Sequence, residues 1–531
     1  MIKYIFSLDL IVIWWYIIFG ENWSIFDFRR FFNQNLLILW KERFALANRD
    51  FVLNKYNKSN VCPLPTAAEL RASLLASEST EARDTLRMLF DENTFVETSA
   101  FTKRAISDFI ATERTNEFEG VITGYGAIDG KLAFAFVEDA SRLGGAIDER
   151  HAKKISDLYK LALDNGAPVV GIFNSNGTDI FEGTAGLAAY GKIMSCVTEA
   201  SGKIPQIALI AGKCMGTSAA IAAMFDIVIK NKNASFYVSS PALTGVSDAQ
   251  DAVVSYVGEL SQCVGYVRSL VSYLPSNSSV GIQSSDICTD NLNRLLGNLD
   301  FSGEALTAIS VIVDNGVCYE LGHDTASVAS TVFASIGGVK CGIIATSFSN
   351  NEGRLTAEAA RKVSRFVNFC ESFSLPIVTL VDSYGLAIDK ENENVFAPEL
   401  ARLAMAYASA KCPKVTVILG HAIGAAFVLL GSKSLGADVV YALDNSEIGA
   451  LAAESGVAFA WDKYITEDKT REELVSEWKT SVSSPAYAAA SGEIDDIIST
   501  NELRARLCSA LLMLSGKGAL ASVSGRKVLP L

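Results

Sequence analysis

Between residues 120 and 139 the chain reads GVITGYGAIDGKLAFAFVED, two largely apolar runs either side of Asp129-Gly130. Asp-Gly supplies the positive φ that a tight hairpin needs, so the pattern predicts a β-hairpin. The period then changes. In DERHAKKISDLYKLALDNG (148–166), Ile155, Leu158, Leu161 and Ala162 are expected on one apolar helix face, with Gly166 just past the helix end. APVVGIFNS (167–175) reads as a buried strand, a second helix is expected near 185–200, and Pro205–Ala211 reads as another strand. Upstream, residues 69–91 carry one helical pattern ending at a turn, and strand-like sequence begins at Thr94 to Thr98.

The same order returns 208 residues later, from Thr331 to Leu419. Thr123–Gly130 falls on Thr331–Gly338, Ala152–Ile155 on Ala360–Val363, Pro168 on Pro376 and Gly177 on Gly385. IPQIALIAGKCMGTSAA (204–220) overlays CPKVTVILGHAIGAAFV (412–428), with Gly212 on Gly420 and Gly216 on Gly424. Landmarks in one register over such a span mean one fold used twice. The expected organisation is an atypical extension over 1–66, a first half over 67–274, a Ser- and Asn-rich linker over 275–300 and a second half over 301–531.

Composition adds three points. The first sixty residues hold four of the six tryptophans, one of 39 glycines and two alanines, which suits an over-extended gene start, a membrane anchor or an ordered extension. The apolar span from Tyr4 to Gly20 is interrupted by Asp9 and falls just short of the usual twenty residues of a membrane helix. A net charge of −13 argues against nucleic acid as a partner. The ten cysteines are scattered without CxxC pairs, a reducing-compartment pattern with no expected metal or disulfide framework, and the expected location is the cytoplasm.

In each half a buried strand (Ile207–Ile210, Val415–Leu419) is expected to pass through a glycine-containing turn into a small-residue helix (Gly216–Phe225, Gly424–Leu430). The first turn of a helix leaves backbone N–H groups without partners, and glycine lets a carbonyl approach them. Such amides hold the oxygen that becomes negative when a thioester turns into an enolate. No Ser/His/Asp or Cys/His constellation competes for the role. Cys214, between Gly212 and Gly216, reads as packing, and Asp382 and Ser383 read as a strand-end cap.

Over Glu69 to Leu531 the chain resembles the biotin-dependent acyl-CoA carboxyltransferases, a family that includes the β subunits of propionyl- and acetyl-CoA carboxylases and the α subunits of sodium-pumping acyl-CoA decarboxylases. The resemblance rests on LFDENTFVE (89–97), GGAIDERHAKKI (144–155), LAAYGKI (187–193), VSRFVNFCESFSLPIVTLVD (363–382), SKSLGADVVYA (432–442) and the tail from Ser484, together with the repeated segments above. It implies an α/β fold of two tandem crotonase-like (ββα spiral) domains. It implies that Gly216 and Thr217 offer N–H groups to an acyl-CoA thioester oxygen, and Gly424 and Ala425 to the ureido oxygen of biotin. Gly144 and Gly145 match the loop beside the CoA, and His421 stands where the family has a lysine, as a contact to biotin or its carrier or as a satisfied histidine. With no Met-Lys-Met biotinylation site and no ATP-binding module, biotin is expected on a separate carrier protein. A biotin carboxylase or a membrane decarboxylase subunit is the expected further partner, and the expected assembly is a dimer-based homo-oligomer, a hexamer.

The chain also departs from that family. Thr217 replaces the second of two glycines and crowds the pocket, Gly420-His421 replaces an Arg-Lys pair, and NSNGTDIFEG (174–183) replaces DSGGARIQEG. The stretch between Ser239 and Pro275 is short. A non-catalytic scaffold subunit and a biotin-independent crotonase-like enzyme therefore stand as alternatives.

Overall fold

The computed structural model describes residues 66–76, 80–103, 118–179, 182–245, 253–282, 288–297, 301, 303–323, 325–466 and 469–517, so the expected anchor or mis-assigned start lies outside the described residues. Contacts divide the chain into Met1–Leu75 and Ala76–Leu531. In the first unit the described part is Thr66 and helix α1 (Ala67–Ala76) up to the boundary, opened by Thr66, whose hydroxyl accepts the Glu69 N–H at 3.3 Å. Instead of one helical stretch over 69–91 there are two, because Thr80 turns extended and caps α2 (Glu81–Leu89) by accepting the Arg83 N–H at 3.3 Å.

The second unit holds two sheets of matching topology. The first comprises β1 (Val96–Thr98), β2 (Val121–Ile128), β3 (Lys131–Glu138), β4 (Val169–Phe173), β5 (Gln206–Ile210), β7 (Ile227–Asn231) and β9 (Tyr256–Gly258), side by side in that order. The pairs β1·β2 and β2·β3 are antiparallel and the rest parallel. A separate parallel pair joins β6 (Lys213–Met215) to β8 (Ser235–Tyr237). Besides α2, the longer helices of this half are α3 (Glu149–Asn165), α4 (Thr184–Ala200), α5 (Thr217–Ala223) and α6 (Leu260–Tyr273).

In the second sheet β10 (Cys318–Leu321), β11 (Ala329–Ile336), β12 (Val339–Thr346), β13 (Ile377–Ser383), β14 (Lys414–Ile423), β15 (Val439–Leu443) and β17 (Asp496–Ile498) lie in order, and β16 (Glu447–Gly449) adds to β14. Its helices include α7 (Ala305–Ile312), α8 (Ala357–Ser372), α9 (Phe396–Ser409), α10 (Ala425–Leu429), α11 (Arg471–Ser481) and α12 (Thr500–Leu514). The register repeats residue for residue: Thr123 faces Phe136 as Thr331 faces Ile344, and Val169 faces Gln206 as Ile377 faces Lys414. Even the hairpin turns match. Asp91 accepts the N–H groups of Asp129 and Gly130, and Asp314 those of Gly337 and Gly338, all within 3.1 Å.

Helix α3 follows its pattern closely: Asp148 caps its start, and Gly166 ends it at φ 59. Ile155, Leu158 and Ala162 are buried, but Leu161 is 41% exposed. Six residues past Ile155 at about 100° each, Leu161 lies off the buried stripe that 155, 158 and 162 share. One hydrophobic cluster joins the halves, with Ile122, Ile172 and Val267 packed with Phe333 and Phe366. Polar contacts cross there too. Tyr273 Oη accepts the Cys341 N–H at 3.0 Å and donates to Ala334 O, and Arg365 donates to Phe225 O at 2.6 Å and Asp226 O at 3.0 Å.

Candidate active site

What the sequence suggests as a glycine turn is strand in both halves. After β5 the chain enters β6, and β14 runs unbroken to Ile423, so that His421, Ala422 and Ile423 pair with Glu447, Ile448 and Gly449. Each strand then stops at a glycine in the mirror image of extended backbone: Gly216 at φ 59, ψ −126 and Gly424 at φ 58, ψ −133. An L-residue with a Cβ is strained there. The next residues open α5 and α10, and no side chain caps either helix.

The donors need reassignment. Gly216 gives its own N–H to Tyr237 O at 3.0 Å, and Gly424 gives its own to Gly449 O at 2.8 Å, so neither amide is available to a ligand. The first-turn donors of the two helices belong to Thr217 and Ser218, and to Ala425 and Ala426. In both halves the first of these residues is exposed and the second buried. At seven and five residues these helices carry little summed dipole, and the local N–H groups are what they offer.

The surrounding loop is duplicated as well. Ser175 Oγ donates to Gly145 O at 2.7 Å and accepts the Gly177 N–H, as Ser383 Oγ donates to Gly353 O at 2.6 Å and accepts the Gly385 N–H. Gly144 and Gly145 both have φ 67, and a Cβ on them would meet Asn176 Nδ2 at 2.2 Å and Asn174 O at 2.7 Å. Close approach of loop and strand end accounts for these two glycines.

Asn174 and Asp382 occupy equivalent strand ends. Asn174 Oδ1 accepts the Lys213 N–H at 3.1 Å, and Asp382 Oδ1 accepts the His421 N–H at 2.8 Å. In the second half alone the same oxygen also lies 2.8 Å from His421 Nδ1. The imidazole packs against the rings of Phe348 and Tyr384, with centroids at 4.8 and 4.4 Å, and those two rings lie 5.7 Å from each other. It borders a cleft of about 440 Å³ shared with Asp444, Glu447 and Lys479. Burial, and then the Glu447 and Glu454 carboxylates, push Tyr384 up to about 12, so that ring stays neutral.

Sequence reasoning missed Glu447 and took Asp382 for a cap, because both meet His421 only across strands. Cys214 is fully buried and its thiol is held well above the ordinary value by burial, which suits packing. His151, beside the expected CoA loop, is buried 3.9 to 4.0 Å from Glu119 and Glu138, whereas Lys153 is exposed and paired with Asp157. Glu138 accepts the Asn174 N–H at 2.8 Å, and burial raises it to about 8. Among the described residues no helix is long and apolar enough to cross a membrane.

The carboxyl transferase domain matches residues 77–251 and 253–522. The methylmalonyl-CoA decarboxylase α subunit of Veillonella parvula is 34% identical over 462 residues, covering 82% of this chain and 90% of that subunit. The propionyl-CoA carboxylase β chain of Saccharopolyspora erythraea is 30% identical over 478 residues, covering 82% and 88%. Among solved structures, a transcarboxylase 12S hexamer with methylmalonyl-coenzyme A and methylmalonic acid bound superposes with a TM-score of 0.80 at 29% identity, over 89% of this chain and 100% of that one. With its two tandem crotonase-like halves, the chain belongs to the biotin-dependent acyl-CoA carboxyltransferase family.

Proposed function

We propose that this chain is the carboxyltransferase subunit of an acyl-CoA carboxylase or decarboxylase and moves carbon dioxide between biotin on a separate carrier protein and the α-carbon of a short acyl-CoA. The observation that carries this reading is the duplicated glycine, in one backbone conformation at the start of the matching helix of each half. Thr217 and Ser218 then hold the thioester oxygen, and Ala425 and Ala426 the ureido oxygen, with the Gly144–Gly145 loop flanking the first pocket. Oriented amides favour the oxygen as it gains charge, which is why no side-chain nucleophile is needed. Biotin, when bound, supplies the nitrogen that carries the carboxyl group. The polar set of the second site suits a urea and its linking arm: two N–H donors on α10, and a buried Glu447 Oε2 with no hydrogen-bond donor among the described residues.

A biotin carboxylase or a membrane decarboxylase subunit would complete the enzyme, with this chain in a hexamer and the whole in the cytoplasm or at the membrane through that subunit. The test is transfer of labelled carboxyl from methylmalonyl-CoA to a purified biotinylated carrier. No transfer with any of several short acyl-CoA thioesters would favour a scaffold role, and biotin found covalently attached to this polypeptide would refute the separate carrier.

A further inference from the structure

Two lysines, one from each half, converge on the end of α6. Lys131 opens β3 and Lys340 is the second residue of β12. Lys131 Nζ donates to Ser272 O and to Leu274 O at 3.2 Å, and Lys340 Nζ donates to Tyr273 O at 2.5 Å and to the same Ser272 O at 3.4 Å. The last carbonyls of a helix lack partners within it, and their partial negative charge draws cations. Two ammonium groups on one carbonyl oxygen nevertheless repel each other. The repeat does not account for the pair: in its register Lys131 falls on Val339 and Lys340 on Leu132, so each half supplies a lysine that the other lacks.

Neither lysine has a carboxylate partner among the described residues. The acidic side chains at these two hairpin turns are committed elsewhere: Asp91 and Asp129 pair with Arg268, and Asp314 pairs with Arg504. Burial holds the Tyr273 hydroxyl and the Cys341 thiol in their neutral forms. Burial, and then the charge of Lys131, push the Lys340 ammonium down to about 8, the range of an α-amino group. Lys131 is lowered as well, by burial. An amine that is partly desolvated and set beside a second cation is a nucleophile near neutral pH. Both side chains remain partly exposed, so a small molecule can reach them. What the cluster lacks is an anion.

We propose that Lys340 is a carbon dioxide site, where the amine becomes a carbamate whose negative charge pairs with Lys131 and ties one half of the chain to the other. The nitrogen lone pair attacks the carbon of carbon dioxide, a C–N bond forms, one C=O electron pair moves onto oxygen, and the amine releases a proton to solvent. Nothing is oxidised or reduced. The product keeps one N–H to donate to Tyr273 O, and its carboxylate supplies the counter-charge that Lys131 lacks. Carbon dioxide suits the place because it enters neutral and becomes anionic only on reaction, whereas an acyl group on Lys340 would leave Lys131 without a counter-ion. The site is separate from both glycine turns. Lys131 and Lys340 lie at the N-terminal ends of strands that run parallel to β4 and β13, and Gly216 and Gly424 follow the C-terminal ends of β6 and β14. It goes beyond the carboxyltransferase reading and does not depend on it.

The test uses the full chain carrying ¹⁵N on its lysine side chains alone, equilibrated with ¹³C-bicarbonate and its dissolved carbon dioxide at about pH 8, the value at which half of Lys340 is a free amine. A carbamate gives a ¹³C signal split by one-bond coupling to ¹⁵N, which bound bicarbonate cannot give. The split signal is expected in the parent and absent in Lys340→Arg, which keeps the charge and the donors. In Lys131→Met it should fall about tenfold, the equivalent of one unit in the acidity of the amine, because the depressing charge and the counter-ion go together. The thermal midpoint of the parent should rise with carbon dioxide more than with chloride at equal ionic strength, and that of Lys340→Arg should not. A ¹³C signal without the coupling, or a split signal that Lys340→Arg retains, overturns the inference and leaves the carboxyltransferase reading standing.

Discussion

An alanine at position 424 would have to hold φ 58 and ψ −133, a conformation that glycine alone adopts without strain. Gly424→Ala is therefore expected to displace the Ala425 and Ala426 amides and lower carboxyl transfer by about a hundredfold, the usual scale for losing such donors. Calorimetry should find methylmalonyl-CoA binding intact. Gly216→Ala should weaken that binding instead, and Cys214→Ala should leave both near the parent values. Glu138 carries a pH signature. Burial raises it from 4.5 to about 8, so over that window the folded protein keeps a proton that the unfolded chain has released. Stability from this group is complete below the lower value and declines as pH rises through the upper one. Glu138→Gln should thus be more stable than the parent at pH 8.5 by at least about 1 kcal/mol, with the gap closing near pH 4, as urea unfolding at each pH would show. Gly216 and Gly424 were legible in the sequence because a backbone demand leaves one acceptable residue type. The Asp382, His421 and Glu447 group was not, since its members lie on three different strands.

At the scale of elements, period and turn chemistry carried most of the information. The hairpin over 121–138 and helix α3 form where the pattern places them, while Leu161 shows that a stripe read from four apolar letters can include one that faces water. Leu158→Ala should cost about 2 to 5 kcal/mol and Leu161→Ala about 0.5 or less, a contrast that thermal melts would resolve. The strand segments 213–215 and 421–423 escaped a reading based on glycine. Their pairing is with β8 and β16, and a partner strand more than twenty residues away leaves no mark on local periodicity.

Across Ala76–Leu531 the halves share one cluster, so they should unfold together rather than as independent domains. Calorimetry of this region should give a single transition. Tyr273→Phe, which strips the Cys341 N–H and Ala334 O of their shared hydroxyl, should lower its stability by about 1 to 3 kcal/mol without splitting it. The commitment of the Gly216 and Gly424 amides to Tyr237 O and Gly449 O bears on how such a chain drifts under selection. On the proposed reading each pocket demands glycine only at the residue with the unusual backbone, while the residue after it has ordinary helical geometry and needs only an N–H. Carboxyl transfer by the parent protein, with Thr217 in place, would mean that a search demanding two consecutive glycines discards competent members of the family.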